Sequence, residues 1–367
     1  LHLCILLDIF YPFLKDKKYP EVYKGVAKKE MKKIRRQTPM LSIETKVDTS
    51  ITPLVEFMEK TNNKLKIENI EYCAELKYDG LAVELIYINK KLVSASTRGD
   101  GYVGEDVTDK CLDIFSIPTR LKNCEHDYVV VRGEVIITHF NFEEINNTQK
   151  LIGRKTYSNP RNAAAGILRS LNDTIKPHIL DFIPYSLFVS RELISPNETQ
   201  FENLDMLMDY GFSLLYSVPY IKATTLEDLR KFYDYDNLQY IPIDIDGIVY
   251  KVNNISYQNE LGFTKDTPRW AYAHKFPPKE VTSYIRDIII QVGRTGKITP
   301  VAKIDPVLIG GVVVSSATLY NQNEIYSKNI AIGDEVIVRR AGEVVPEITK
   351  SITEHTGDKC YNIYSCL

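Results

Sequence analysis

The sequence predicts an α+β chain in two parts, mixed antiparallel sheets with helices followed by a small β-barrel. Up to about residue 282, short β-type runs alternate with amphipathic helical stretches; beyond it, five strand runs follow one another with a single short helical insert. A third observation is negative. No apolar run reaches the roughly 20 residues that span a bilayer, and the opening LHLCILLDIF lacks both a basic lead-in and a small-residue cleavage site, so no membrane partner is expected.

Composition agrees with a globular chain. Of 367 residues, 44% are hydrophobic and 26% charged, which excludes disorder. The net charge is -2, so a nucleic-acid partner must be met by local basic patches, since no global positive field exists. Six cysteines, at 4, 73, 111, 124, 360 and 366, form no dense framework and point to a reducing compartment. We therefore expect a cytoplasmic, non-secreted chain. It begins without Met and reads as clipped at the N-terminus.

Residues 1–37 read as an apolar segment followed by a basic helical piece, EVYKGVAKKEMKKIRRQ. From TPMLSIET onward the texture becomes β-type. LAVELIYINKKLVSAS is a hairpin turning at INKK, and DYVVVRGEVIIT is a buried strand interrupted by Gly133. FNFEEINNTQKLIG has helical spacing, and the Ala-rich NPRNAAAGILRSL is a helix whose start Asn159-Pro160 marks. ETQFENLDMLMDYG and TLEDLRKFYDYDNL are amphipathic helices, the first stopping at Gly211. IDIDGIVYKVNN and RWAYAHKF return to strand. From residue 283 to about 350 come SYIRDIIIQVGR, TPVAKIDPVLI, GVVVSSATLY, DEVIVRRAG and EVVPEIT, with NQNEIYSKN as the insert, a pattern that fits an OB-type barrel.

The chemistry concentrates in EYCAELKYDGLAVELIY. Strand alternation puts Glu75, Lys77 and Asp79 on one face and Leu76 and Tyr78 on the other. That face is either a solvated ion-paired surface or a lysine nucleophile held among carboxylates. Lys251 ends IDGIVYKV, and Lys275 shares a face with Ala271 and Ala273 in WAYAHKFPP. Any one of these lysines alone reads as an ammonium snorkelling to a strand edge. Three in one domain point to a common phosphate, and crowding of the ammonium groups would leave a neutral amine free to attack. TRGDGYVGEDV gathers glycines around Arg98, Asp100, Glu105 and Asp106, as a ligand-cradling turn or an acidic hairpin tip. Arg161 and Arg169 fall on nearly the same helix face, suiting a phosphate or ordinary surface pairing. Glu134 inside an apolar strand needs a hydroxyl, metal or cation, and Tyr185 suits base stacking or core packing.

Taken in order, these motifs resemble the NAD⁺-dependent DNA ligases from about Pro39 to Glu347. ELKYDG is similar to the adenylation motif KxDG, which ATP-dependent ligases and capping enzymes share. NPRNAAAG and QVGRTGKITPVA are specific to the NAD⁺ branch. The resemblance implies a nucleotidyltransferase (adenylation) domain over 38–282, an OB-fold over 283–350, a remnant of the nicotinamide mononucleotide (NMN)-binding module in 1–37, and half a zinc finger in 351–367. It implies that Lys77 becomes adenylylated, with Asp79, Lys251 and Lys275 as the other catalytic groups. Ser42, Ile43, Glu75, Arg98, Glu134, Tyr185 and Asp246 would join Lys77, Lys251 and Lys275 around the nucleotide. Arg161, Arg169, Arg294, Lys297, Arg339 and Arg340 would meet DNA. Mg²⁺ or Mn²⁺ is expected near Glu134 and the phosphates, and nicked duplex DNA as the partner of a monomer that seals nicks in replication or repair.

The chain also departs from the family pattern. Residues 1–36 lack the module's tyrosine-and-aspartate signature, and Leu238 stands where the family has an arginine. KCYNIYSCL supplies only Cys360 and Cys366 of a four-cysteine finger, so no complete zinc site is expected. Two other readings stay open: an ATP- or GTP-using nucleotidyltransferase, and a truncated or degenerate paralogue that binds nicks or seals only pre-adenylylated ones.

Overall fold

The computed structural model describes residues 31–47, 50–170, 175–213, 221–232, 241–276, 279–293, 296, 298–309, 312–340, 346–353 and 361–362. Leu238, Arg294, Lys297, Cys360 and Cys366 lie outside the described residues. The chain separates into two compact units, Leu1–Lys46 with Ile51–His274, and Val47–Ser50 with Lys275–Leu367.

In chain order the strands up to the second unit are β1 (Lys33–Arg35), β2 (Glu44–Val47), β3 (Tyr72–Tyr78), β4 (Leu81–Ile88), β5 (Lys91–Thr97), β6 (Val103–Glu105), β7 (Tyr128–Ile136), β8 (Asp181–Val189), β9 (Ile221–Ala223), β10 (Ile245–Val252) and β11 (Ala271–Lys275). They pair as a five-stranded sheet in the order β2-β11-β10-β3-β9, a four-stranded sheet β5-β4-β7-β8, and a ribbon β1-β6. The hairpin read from INKK is β4-β5, turned by Asn89 and Lys90 with φ of 48° and 71°. Two positive φ values give the twist a tight hairpin needs.

The basic helix expected up to residue 37 ends differently. Lys33–Arg35 is a strand, paired antiparallel with Val103–Glu105. A free strand edge satisfies the backbone donors and acceptors as well as a helical turn would, and composition cannot see that edge.

Each sheet packs one face against helices. Val83, Leu85 and Tyr87 of β4 and Val129, Val131 and Val135 of β7 pack with Ala164, Ile167 and Leu168 of helix Pro160–Leu168 and with Leu204 and Leu207 of helix Gln200–Asp209. Under the five-stranded sheet, Phe57 of helix Thr52–Leu65 lies 5.8 Å from the Tyr72 ring and 5.6 Å from Tyr272. Each such side chain withdrawn from water contributes about 1.5–3 kcal/mol. The other faces mix polar residues with apolar ones: Ile136 and Ile183 of the four-stranded sheet pack with Ile243 and with Tyr78 of the five-stranded sheet.

The second unit holds β12 (Lys279–Val292), β13 (Ile298–Ile309), β14 (Val312–Thr318), β15 (Glu335–Arg340) and β16 (Glu347–Ser351), closed into a barrel in the order β12-β13-β14-β16-β15. Ile285, Ile304, Val336, Val338 and Ile348 fill it, and helix Gln322–Ser327 is capped by the Asn321 side chain. Closure removes the sheet edges that would otherwise invite pairing. Among the described residues no helix is long and apolar enough to cross a membrane.

Candidate active site

Lys77 is set by strand geometry. In β3, Leu76 is buried while Glu75 and Lys77 on the opposite face stay half-buried. Antiparallel pairing puts Lys251 beside Cys73, Val249 beside Glu75 and Gly247 beside Lys77. Between Ile245 and Gly247 the register shifts, which makes Asp246 the extra residue of a β-bulge. The bulge aims its carboxylate at Lys77, with Nζ 2.8 Å from Oδ1 and 2.9 Å from Oδ2. Gly247 offers no side chain on that flank. Just past the strand, Asp79 accepts a hydrogen bond from Arg161 Nη1 at 3.0 Å.

Further along the face, the Lys251 ammonium is buried and fully engaged. Its Nζ lies 2.8 Å from Glu75, donates to the Tyr185 carbonyl at 2.9 Å, and stands 5.5 Å from the Tyr185 ring centre. Gln200 Nε2 donates to the same two acceptors, Glu75 Oε1 at 2.9 Å and Tyr185 O at 3.1 Å. Tyr185 is itself the extra residue of a bulge in β8, between the pairs Arg132–Ser186 and Gly133–Pro184. Burial drives the Cys73 thiol, 3.6 Å from Glu75 Oε1, well above its ordinary range.

The four-stranded sheet supplies the opposite wall. Glu134 sits beside Ala82, and withdrawal from water pushes its carboxyl up to about 8, with Arg161, Lys77 and Arg98 opposing and Asp79 reinforcing the rise. Asp79 is raised too, first by burial, against the pull of Arg161. Arg98 Nη1 reaches Ser42 Oγ at 3.4 Å, and a cavity of about 330 Å³ opens among Met40, Ser42, Arg98, Gly101 and Tyr102. Ile43 follows Ser42 just before β2.

These contacts bring together Glu75, Lys77, Asp79, Glu134, Arg161, Tyr185, Asp246 and Lys251, with Arg98 and Ser42 at the rim. Two expectations change. Lys77 and Lys251 are each matched by a carboxylate rather than crowded by cations: the bulge at Asp246 brings Lys77 an anion 169 positions away in sequence, and Glu75 of β3 meets Lys251 of the neighbouring β10. Arg161 and Arg169 do not share a helix face: the helix stops at Leu168, Arg169 is its C-cap, and its Nε pairs with Glu105 at 2.7 Å. Lys275 closes β11, half-buried, and belongs to the second unit. Arg339, on β15, holds Glu347 at 2.6 Å. The Arg340 side chain lies outside the described residues. Gln200 was not singled out by sequence, nor were Arg36, Glu84 and Arg132. A carboxylate inside the apolar run LAVELIY is the one available signal, and it is Glu84, only 5% exposed.

Residues 28–279 match the NAD-dependent DNA ligase adenylation domain, and residues 282–359 match the NAD-dependent DNA ligase OB-fold domain. The chain belongs to the NAD-dependent DNA ligase family. A DNA ligase of Marinobacter nauticus is 42% identical over 333 residues, 89% of this chain and 48% of that protein. A DNA ligase of Alcanivorax borkumensis is 42% identical over 327 residues, 88% of this chain and 41% of that one. The chain thus spans about half the length of the curated relatives it matches. A solved structure of a Lig E DNA ligase, described as binding DNA with a minimal scaffold, covers 85% of this chain and 100% of its own at 10% identity and a TM-score of 0.43. So loose a superposition carries no argument.

The sheets of the first unit thus form the family's nucleotidyltransferase (adenylation) domain, and the barrel is its OB-fold. The family also implies a divalent ion. Among the described residues no group of three or more His, Cys, Asp or Glu gathers as a metal site. Mg²⁺ asks for less, one or two carboxylates plus substrate phosphates. Glu134 and Asp79, both withdrawn from water and electrostatically coupled, fit that requirement.

Proposed function

We propose that this chain seals nicks in duplex DNA, taking AMP from NAD⁺ onto Lys77 and passing it to the 5′-phosphate. The observation that carries the proposal is the Lys77–Asp246 pair at 2.8 Å, on a strand face flanked by Arg161 and Lys251. Asp246 takes a proton from the Lys77 ammonium, and the lone pair so freed attacks the adenylyl phosphorus of NAD⁺, the nitrogen then shedding its second proton to solvent. The bond from that phosphorus to the bridging oxygen breaks, and NMN leaves with the electron pair. An oxygen of the 5′-phosphate next attacks the same phosphorus, and Lys77 leaves and regains a proton. The 3′-hydroxyl then attacks the 5′-phosphorus, expelling AMP and joining the strands.

Phosphoryl transfer of this kind asks the protein mainly to position groups and neutralise charge. Arg161, steered by Asp79, and Lys251, steered by Glu75, are held for that task. A divalent ion held by Glu134 and Asp79 would offset phosphate charge when bound. Arg169 and Arg339, paired with Glu105 and Glu347, are assigned to backbone phosphates, which fix register without reading sequence and so suit any nick. Lys275, Arg294, Lys297 and Arg340 are assigned to phosphates on the family pattern alone. Cys73, Cys111 and Cys124 are buried free thiols, in keeping with a reducing setting.

Intact-protein mass spectrometry after incubation with NAD⁺ and Mg²⁺ tests this. The wild type is expected to gain the mass of one AMP, and Lys77→Ala none. A gain with ATP but not NAD⁺ would instead assign a different donor. No gain with either, with nicked DNA still bound or a 5′-adenylylated nick still sealed, would assign the chain to the nick-binding or final-step alternatives.

A further inference from the structure

Behind the nucleotide rim lies a buried ion triad. Glu84, Ser96 and Arg132 stand side by side on three neighbouring strands, since β4 pairs Glu84 with Ser96 of β5 and with Arg132 of β7. Arg36 lies over them, 6% exposed, its Nε donating to Glu84 Oε1 at 3.1 Å. The rest of its guanidinium collects main-chain carbonyls: Arg98 O at 2.8 Å, Gly101 O at 3.4 Å, Ser96 O at 3.2 Å, and Thr97 O. It also donates to Ser96 Oγ at 2.8 Å. Glu84 Oε2 binds Arg132 Nε at 2.8 Å, and Arg132 reaches on to the carbonyls of Pro39 at 3.3 Å and Thr38 at 3.2 Å. Gly104 makes room: a Cβ there would lie 3.0 Å from Arg36 Nη2 and closer still to Thr97 O.

One carboxylate thus ties two guanidinium groups to two separate backbone segments. Those segments end in Ser42 and Arg98, which touch each other across the cavity mouth. The Met40 N–H, donating to Gly101 O at 3.0 Å, stitches them between. Desolvating three charges makes such a triad a poor source of stability, yet it fixes geometry in several directions at once. We propose that Arg36, Glu84 and Arg132 are positioning residues that hold Thr38–Ser42 and the turn Arg98–Gly104 as one preformed rim for the donor nucleotide. The inference rests on the adenylyl-transfer reading above.

Its test is the NAD⁺ dependence of AMP gain by Glu84→Gln and Arg36→Lys. A loosened rim weakens capture before chemistry, so we expect the half-saturating NAD⁺ concentration to rise tenfold or more in each while the maximal rate stays within about threefold. The double variant should be no worse than Arg36→Lys alone, because both act through one unit. A fall in maximal rate with unchanged half-saturation, or wild-type kinetics in Glu84→Gln, would overturn the proposal. Should a variant melt too early to assay, amide hydrogen exchange at Met40 and Gly101 in Glu84→Asp decides: faster exchange there, with the melting temperature held, supports the triad, and unchanged exchange refutes it. If wild type gains no AMP, the adenylyl-transfer reading fails, and the exchange measurement still reports on the rim.

Discussion

The Lys77 ammonium and the Asp246 carboxylate share a 2.8 Å contact yet remain partly open to water, with side-chain exposures of 23% and 26%. A pair so placed contributes only about 0–1 kcal/mol to stability. On the proposed mechanism its use lies in the reaction, since attack by Nζ requires a proton acceptor. Asp246→Asn keeps shape and volume while removing that acceptor, and we expect it to slow single-turnover AMP gain by about 10²-fold or more, the usual reach of general-base catalysis. Rapid-quench measurement with a melting curve checks this; a rate within threefold of wild type would exclude the role. Glu134 gives a prediction of opposite character. Its folded-state carboxyl is raised from 4.5 to about 8, so between those values the native state binds more protons than the unfolded chain. Stability therefore falls as pH rises through that window and levels off above it. In metal-free buffer, Glu134→Gln should match or exceed wild type in melting temperature at pH 8 and lose that advantage near pH 5. A parallel pair of pH–melting curves would contradict the sign.

At the scale of single elements, helix Pro160–Leu168 shows how local chemistry aims a functional group. The Asn159 side chain accepts from the Asn162 N–H at 2.7 Å, and Pro160 fills the first turn, where no donor is missed. Arg161 projects from that turn to Asp79. Asn159→Ala should cost about 1 kcal/mol, read from urea unfolding. It should also impair adenylyl transfer to the nick more than AMP gain, because the first turn holds Arg161. This start was legible in sequence, since Asn-Pro before an Ala-rich run carries its own mechanism. The same holds for the β4-β5 hairpin, for Lys77 on its alternating strand, and for the run of five strands. What stayed hidden depends on register between distant strands. The bulges at Asp246 and Tyr185 exist only relative to β3 and β7, and no local pattern announces an extra residue. Arg36 read as one more charge in a basic segment. Its meaning comes from Glu84, 48 positions on, and from a row of carbonyls that any sequence would supply. The end of the helix at Leu168 escaped for a related reason, because no Gly or Pro punctuates it and Arg169 finds Glu105 instead.

For the molecule as a whole, the division into two units is a statement about cores. Val83, Leu85, Tyr87 and their neighbours fill one; Ile285, Ile304, Val336 and Val338 fill another. Among the described residues, ten of the thirteen buried side chains of the second core come from barrel strands and the other three, Leu319, Ile325 and Ile330, from the helical insert and its flanks. Two cores with few shared residues are expected to unfold as two cooperative steps rather than one. Ile304→Ala, at a position only 4% exposed, removes methyl and methylene groups from the barrel interior and should cost about 2–5 kcal/mol there. Scanning calorimetry should then show one transition moved down by several degrees and the other in place. AMP gain, which the proposal assigns mainly to residues of the first unit, should persist at temperatures where the barrel has already melted in this variant. Sealing, which needs the duplex held, should be lost at the lower temperature. If instead both transitions shift together, the two cores stabilise each other, and adenylylation and sealing would fail at one temperature.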